Sequence, residues 1–518
     1  MKMKRTIYIN VMLLLAFFLL PVTLQAQESF WCGGDLTNIL DPNQADALQA
    51  VLQEAYNAIL GSFFTVAIDD STEPPPTGVL VHKPEKTWAG YTLLSSLGGH
   101  YDPNADVTYG AILIDMDGSI VKEWPLVPYP ARMLPGGYIM GGTGQFEEFT
   151  GVPNLVQWDW NGNEVWSWNS YASSYPGAPY LSGFHHDYQR EGSPVGYYVP
   201  GMEPMVQGGK TLILSHYIPP LEWTAEITIH PLFDDALYEV DWEGNLTWEW
   251  HLWEHYDQLG FSEAAKQAIY ENYVGRVPDV GSDYMHTNEA SHLGPNKWYD
   301  SGDLRFDPDN ILIDSRSSNI ISIIARHDHP KGQWKEGDII WRVGPDYSYG
   351  HPEYKLGQII GQHQAHLIQK GLPGAGNILL FDNGGMAGFG SFMPGLKPMV
   401  SNKLREYSRV LEFNPVTLEV VWEYACPQPK LDSEGNVVEP VCFSAFVSGA
   451  QRLVNGNTLV CEGQSGRVFE LTPNKEIVWD YAVPFGGGDT GLAFLGYNTL
   501  YRAERIPYWW VPEELLDN

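Results

Sequence analysis

Cysteine is scarce in this chain: four among 518 residues (Cys32, Cys426, Cys442 and Cys461), with no CxxC pair. Zinc ribbons and thioredoxin-type redox centres, which need closely spaced thiols, are therefore excluded. Positive charge is also short, with 30 Lys and Arg against 63 Asp and Glu, for a formal net charge of −33. So acidic a surface repels nucleic acid and anionic membranes, and neither is expected as a partner; an anionic substrate would need a local positive pocket. Beyond the first residues no apolar run approaches the ~20 residues of a spanning helix, so no membrane span is expected. No GxxxxGK[ST] motif occurs, and a P-loop for a nucleotide donor has no support.

The start of the chain is distinctive. Lys2, Lys4 and Arg5 precede an apolar run over 11–20 and a small-residue exit at Leu24-Gln25-Ala26. This is the pattern of a secretory signal peptide over residues 1–26, and it predicts a periplasmic or secreted protein. In an oxidising compartment a disulfide between Cys426 and Cys442, which flank a polar segment, is plausible. Cys461, inside NTLVCEG, reads as a buried free thiol.

The composition is rich in 53 Gly, 37 Pro, 19 Trp and 29 Tyr, which suits short strands and turns. Internal repetition organises it. An apolar strand, an Asp/Asn/Gly turn and a strand ending in Trp recur at 111–124, 154–168, 236–250, 321–341, 409–424 and 467–481. Alternating apolar and polar positions predict half-buried strands closed by tight turns. A second hairpin element accompanies most copies, as at 131–142, 363–384 and 448–463. Two hairpins per unit make a four-stranded blade, and six blades closed radially leave no long free edges. The expected fold is all-β, a six-bladed β-propeller over 108–518, preceded by an N-terminal domain or lead-in over 27–107. That lead-in includes an amphipathic helix over 44–60. A parallel solenoid is the rival architecture, but its repeats would stack poorly at such uneven spacing. Residues 251–285 read as a helical insertion between blades.

Aligning the second elements brings histidines to matching places: His185 and His186 in HHDYQREG, His286 in MHTNEASHLG and His363 in GQHQAHLIQ. The copies without histidine start near Tyr129 and Val447. Equivalent positions fall at the same radius, so His186, His286 and His363 are expected to converge on the axis. Strand alternation lets only one of His185 and His186 face inward; His186 shares its local pattern with His363. Arg316, in the middle of the otherwise apolar strand pair NILIDSRSSNIISII, reads as a buried guanidinium suited to sulfate or phosphate oxygens, pairing with Asp314 or another acid being the plainer alternative. Asn288, two residues beyond His286, is a further donor. The hairpin-ending tryptophans read as blade packing, and His327 and His329 as solvated turn residues. Each histidine taken alone would more often be structural than catalytic.

HHD (185–187), MHTN (285–288), DSRSSN (314–319), GQHQA (361–365) and ILLFDNG (378–384) together resemble the bacterial arylsulfate sulfotransferase family, which works in the periplasm without a nucleotide sulfate donor. The resemblance runs from GYTLLSS (90–96) through the last copy. It implies a six-bladed propeller, usually a homodimer, that passes a sulfuryl group from an aryl sulfate donor to a phenolic acceptor. It implies His363 as the nucleophile forming a sulfohistidine, with His186, His286 and Arg316 holding the sulfuryl oxygens and assisting proton transfer. Beside these, the residue pattern itself offers Asn288 and His185 as substrate contacts. The family's close cysteine pair is absent here, and no cofactor or metal is implied. Two other readings compete: a metal-dependent propeller hydrolase or lyase with the three histidines as ligands, and a non-catalytic binding propeller in which they are packing residues.

Overall fold

The computed structural model divides into two compact units, residues 1–72 and 73–518. It describes residues 76–516, except 145–150, 170–182, 272–281, 386, 388–404, 406, 426–429, 432–436, 440–441 and 487–497. The signal segment, the helix expected over 44–60, Cys32 and Cys426 lie outside the described residues.

Six four-stranded antiparallel meanders follow one another, with strands given from the inner to the outer edge. Blade 1 is Leu500–Ile506, Tyr91–Asp102, Val107–Ile114 and Ile120–Trp124; blade 2 is Val127–Leu134, Tyr138–Thr143, Asn154–Trp158 and Glu164–Asn169. Blade 3 is Phe184–Arg190, Thr211–Tyr217, Leu232–Val240 and Leu246–His251; blade 4 is Thr287–His292, Ile311–Ser315, Ile320–Ile324 and Ile339–Val343. Blade 5 is His363–Leu367, Ile378–Asp382, Arg409–Phe413 and Val420–Ala425; blade 6 is Gly449–Arg452, Thr458–Glu462, Arg467–Leu471 and Ile477–Ala482. This is the expected six-bladed β-propeller. Each repeated Trp hairpin forms the two outer strands of a blade. In the turns Gly162 and Gly244 both sit at φ +84°, a conformation that costs glycine little.

The expected start of the propeller at 108 is corrected. Tyr91–Asp102 is the second strand of blade 1, and Gly78–His82 adds a fifth, outer strand to blade 6. Leu500–Ile506, from the far end of the chain, supplies blade 1 with its inner strand. Both ends are thus sewn into neighbouring sheets, which closes the ring and pairs edges that would otherwise be exposed.

The tryptophans of the repeat join the blades. Trp166 donates its indole N–H to Trp242 O at 2.8 Å, Trp250 to Gly337 O at 2.9 Å and Trp341 to Pro415 O at 3.0 Å. Trp422 reaches Pro473 O at 2.9 Å, and Trp479 reaches Met116 O at 2.9 Å, linking blade 6 to blade 1. Trp124 instead packs edge-on against Trp160, with centroids 5.4 Å apart. In each case the Trp of one blade covers the outer turn of the next. Between blade faces lie apolar layers, such as Leu312, Ile321, Ile323, Leu380 and Leu411 between blades 4 and 5.

At the inner edge, backbone N–H groups that no strand can satisfy meet buried side chains of the neighbouring blade. Asp314 Oδ2 accepts from Ala365 N at 3.0 Å, Gln364 Oε1 from Ala450 N at 3.0 Å and Gln451 Oε1 from Arg505 N at 2.7 Å. Of the insertion between blades 3 and 4, the described parts are a short 3-10 helix, Leu252–Gln258, and an α-helix, Glu263–Glu271. Leu252, Tyr256, Leu259, Ala265 and Ile269 dock it on the blade 3–blade 4 core. No described helix is long and apolar enough to cross a membrane. Cys461 is a buried free thiol and Cys442 is disulfide-bonded.

Candidate active site

A bulge or register shift interrupts the pairing of the inner strands of blades 1 to 5. Such shifts fall between Thr287 and Glu289, between His363 and His366, and between Val127 and Arg132. His186, His286 and Val447 hold positive φ values of 59°, 50° and 55°. Left-handed backbone at residues other than glycine costs on the order of 1–3 kcal/mol each and persists where surrounding contacts enforce it. The result is a cluster drawn from six blades: Tyr129 and Tyr501 bond His186, the Val447 amide bonds His363, and His286 packs on His186.

His186 lies in the middle of this cluster. Its Nε2 is 2.7 Å from Tyr129 Oη and its Nδ1 3.0 Å from Tyr501 Oη. Tyr501 spends its own proton on His186 O at 2.8 Å, so Nδ1–H donates to Tyr501 while Nε2 accepts from Tyr129. The His286 ring stands edge-to-face on His186 with centroids 4.6 Å apart. Burial, then the neighbouring His286, His185, His363 and Arg316, hold the His186 imidazole well below its ordinary value of 6.5.

His363, only 1% exposed, has a defined tautomer. Asn383 donates Nδ2 to Ser444 O at 2.8 Å and Val447 O at 2.9 Å. Its Oδ1 therefore accepts from His363 Nδ1–H at 2.8 Å. Nε2 keeps its lone pair, which receives the Val447 N–H at 3.0 Å. Burial, then the Arg316 charge, hold this imidazole well below 6.5, against the smaller opposing pull of Asn383. The ring is therefore neutral at physiological pH, with its lone pair at Nε2.

His286, directly before the inner strand of blade 4, pairs through Nδ1 with Asp283 Oδ2, while its backbone N–H donates to Asp283 Oδ1 at 3.2 Å. The arrangement matches a carboxylate-oriented acid–base histidine. Arg316 is 6% exposed and acts electrostatically on both His186 and His363. It was expected within a strand; it opens the turn over 316–319 between Ile311–Ser315 and Ile320–Ile324. Ser-Ser-Asn favours a turn there, and Asn319 closes it at φ +58°. Asp314, the alternative partner for Arg316, instead accepts from Gln362 Nε2 at 2.6 Å and is pushed up to about 8, chiefly by burial.

Two expected substrate contacts sit elsewhere. His185 stacks on His216 at 3.7 Å, on the other face of its strand, with its ring edge-on to His186 at 5.2 Å. Asn288 donates Nδ2 to Gln362 O at 2.9 Å and so ties blade 4 to blade 5. His366 is also off the site, with Nε2 2.8 Å from Tyr197 Oη. His327 is exposed and His329 half-buried. His186, His286 and His363 do not form a group of converging metal donors among the described residues. His186 has both ring nitrogens on tyrosines, so the three-histidine metal reading does not fit. Cavities of about 530 Å³ lie off the axis, and none of the three histidines lines them.

Tyr129, Tyr501, Asp283, Asn383 and the Val447 amide were not singled out from sequence. Tyr129 and Val447 stood in the alignment as the starts of blades without histidine, and that was the available signal. Below the cluster, inner-strand charges form a buried belt. Arg132 pairs with Asp187 and with Glu504 at 3.1 Å, and Arg502 pairs with Asp187 at 3.3 Å and Glu289 at 2.8 Å. Arg502 also donates to Asn288 O at 2.8 Å, which fixes the backbone beside His286.

Residues 226–479 match the arylsulfotransferase (ASST) family. The matched span holds His286, Arg316 and His363, and His186 precedes it. No curated protein matches the chain. Among solved structures, a protein of unknown function from Bacteroides caccae is 11% identical, with 81% of this chain and 99% of that chain covered and a TM-score of 0.39. The Dos1 propeller is 9% identical, covering 76% and 74% of the two chains, with a TM-score of 0.28. Virginiamycin B lyase from Staphylococcus aureus is 11% identical, covering 80% and 86%, with a TM-score of 0.28. Likenesses this distant say nothing of chemistry, and the fold rests on the sheets themselves.

Proposed function

We propose that this chain, whose residues 226–479 match the arylsulfotransferase (ASST) family, transfers a sulfuryl group from an aryl sulfate to a phenol through a sulfohistidine at His363. The observation that carries this reading is the state of His363: neutral, held by Asn383 at Nδ1, with its Nε2 lone pair retained beside Arg316.

Nε2 of His363 attacks sulfur and the S–O bond to the phenol breaks. The departing phenolate takes a proton from His286, which Asp283 orients. Arg316 balances charge on the sulfuryl oxygens. The Val447 N–H, displaced from Nε2 as the S–N bond forms, is placed to donate to one of those oxygens. As the ring gains positive character, Nδ1–H strengthens its bond to Asn383. In the second half, a phenol loses its proton to His286, its oxygen attacks sulfur, and the S–N bond breaks. His186, with both nitrogens on tyrosines, positions Tyr129 and packs His286 rather than moving protons. Export, expected from residues 1–26, belongs to the same proposal.

The test is peptide mass analysis after incubation with 4-nitrophenyl sulfate and an alkaline quench. One added sulfuryl group on His363 is expected, and His363→Ala should lower transfer to phenol by about 10⁴-fold or more. A sulfuryl group on another residue, or transfer that survives in H363A, would overturn the assignment.

A further inference from the structure

A second group of chemistry-bearing side chains lies on the opposite face of the HHD segment. His185, His216 and Asp235 come from the first three strands of blade 3, and His216 and Asp235 stand directly opposite each other in the antiparallel register. All three are at most 3% exposed. His185 Nε2 is 3.2 Å and His216 Nδ1 3.5 Å from the same carboxylate oxygen, Asp235 Oδ1. The other oxygen, Oδ2, accepts Thr287 N–H at 2.8 Å, which aims Oδ1 at the two rings.

These contacts are poor hydrogen bonds. Charge-assisted N–H···O pairs close to about 2.7–2.9 Å. Neither His185 nitrogen nor Asp235 Oδ1 has a partner of hydrogen-bond geometry, although burying such groups unsatisfied costs about 1–3 kcal/mol each. The separations fit a different role: with metal–ligand bonds of 2.0–2.1 Å, the edge of a tetrahedron is about 3.4 Å. We propose that His185, His216 and Asp235 bind one divalent transition-metal ion, zinc by its ligand chemistry, with the fourth position taken by water. Thr287 acts as the outer partner that orients the carboxylate, as metal sites commonly require. The rings are stacked at an interplanar angle of 13°, so binding rotates them until their lone pairs converge. The ion would brace the backbone that presents His186 to the axis, and it does not touch the reacting groups.

The test is metal analysis of the full chain, purified from zinc-supplemented medium and dialysed. One zinc per chain is expected, falling about tenfold or more in His216→Asn and in Asp235→Asn. H363A should keep its zinc, so loss of sulfuryl transfer and loss of this site are read separately. Cobalt-loaded wild-type protein should show visible bands of a tetrahedral nitrogen–oxygen site, a readout that holds even where a variant fails to fold. Wild-type protein without stoichiometric zinc or without those bands would overturn the proposal. So would folded variants that keep their zinc, since the ion would then sit elsewhere, for instance at the exposed Asp307, Asp309 and His327.

Discussion

Around its outer edge the propeller repeats a single contact, a Trp of one blade on the turn of the next; at the axial end the same six blades contribute different groups from matching positions. The outer contact serves closure alone, so one residue type answers in every blade, as Trp166, Trp250, Trp341, Trp422 and Trp479 show. At the axis each blade faces a common point, and identical residues there would crowd like charges or identical donors. Tyr129 and Tyr501 instead complement His186 as donor and acceptor, the Val447 amide complements His363, and His286 packs on His186. Repetition builds the scaffold, and departures from repetition build the site.

This contrast predicts that axial changes alter chemistry and outer changes alter stability. After the proposed nucleophile His363, the largest axial effect is expected at Arg316. Arg316→Ala should lower the sulfuryl-transfer rate by about 10²–10³-fold, the range for losing one charge-stabilising donor. Its pH profile carries a second signature. Arg316 depresses the His363 value; without it that value rises, the imidazole protonates at higher pH, and the acid limb of the profile moves upward. An unmoved limb would separate Arg316 from His363.

Asp283→Asn comes next. It keeps the shape but removes the carboxylate from His286, and should slow turnover by about 10–100-fold, mostly in kcat. An unchanged kcat would remove His286 from proton transfer. The smallest effect is expected at the outer edge. Trp479→Phe keeps the packing but strands the buried Met116 carbonyl, at a cost of about 1–3 kcal/mol, read as a lower unfolding midpoint. Transfer by the folded fraction should not change. A catalytic loss without a stability loss would break the division between edge and axis.

Much of this arrangement was legible in the sequence. The Trp hairpins carry period-two patterning and turn residues, so they announced the outer strands of every blade. The histidines announced the inner strands of blades 3, 4 and 5, where bulky polar residues interrupt apolar runs. The first blade was not legible, because its inner strand is Leu500–Ile506 and no local pattern ties that segment to residue 91. Arg316 was read as a strand residue because ILID and NIISII flank it so closely, although its Ser-Ser-Asn neighbours carry the turn. Asn288 was placed by strand alternation, which cannot say that its amide would be spent on Gln362 of the next blade.

The local sequence determined the hairpins, their number and the positions that share a radius, because these follow from side-chain periodicity and turn chemistry within a few residues. Only the closed tertiary structure decided which atoms meet at the axis. The tautomer of His363 depends on Asn383 and Val447, the pose of His186 on Tyr129 and Tyr501, and the face of His185 on His216 and Asp235. Most of these partners come from other strands or blades, and contacts of that kind exist only once the ring has closed.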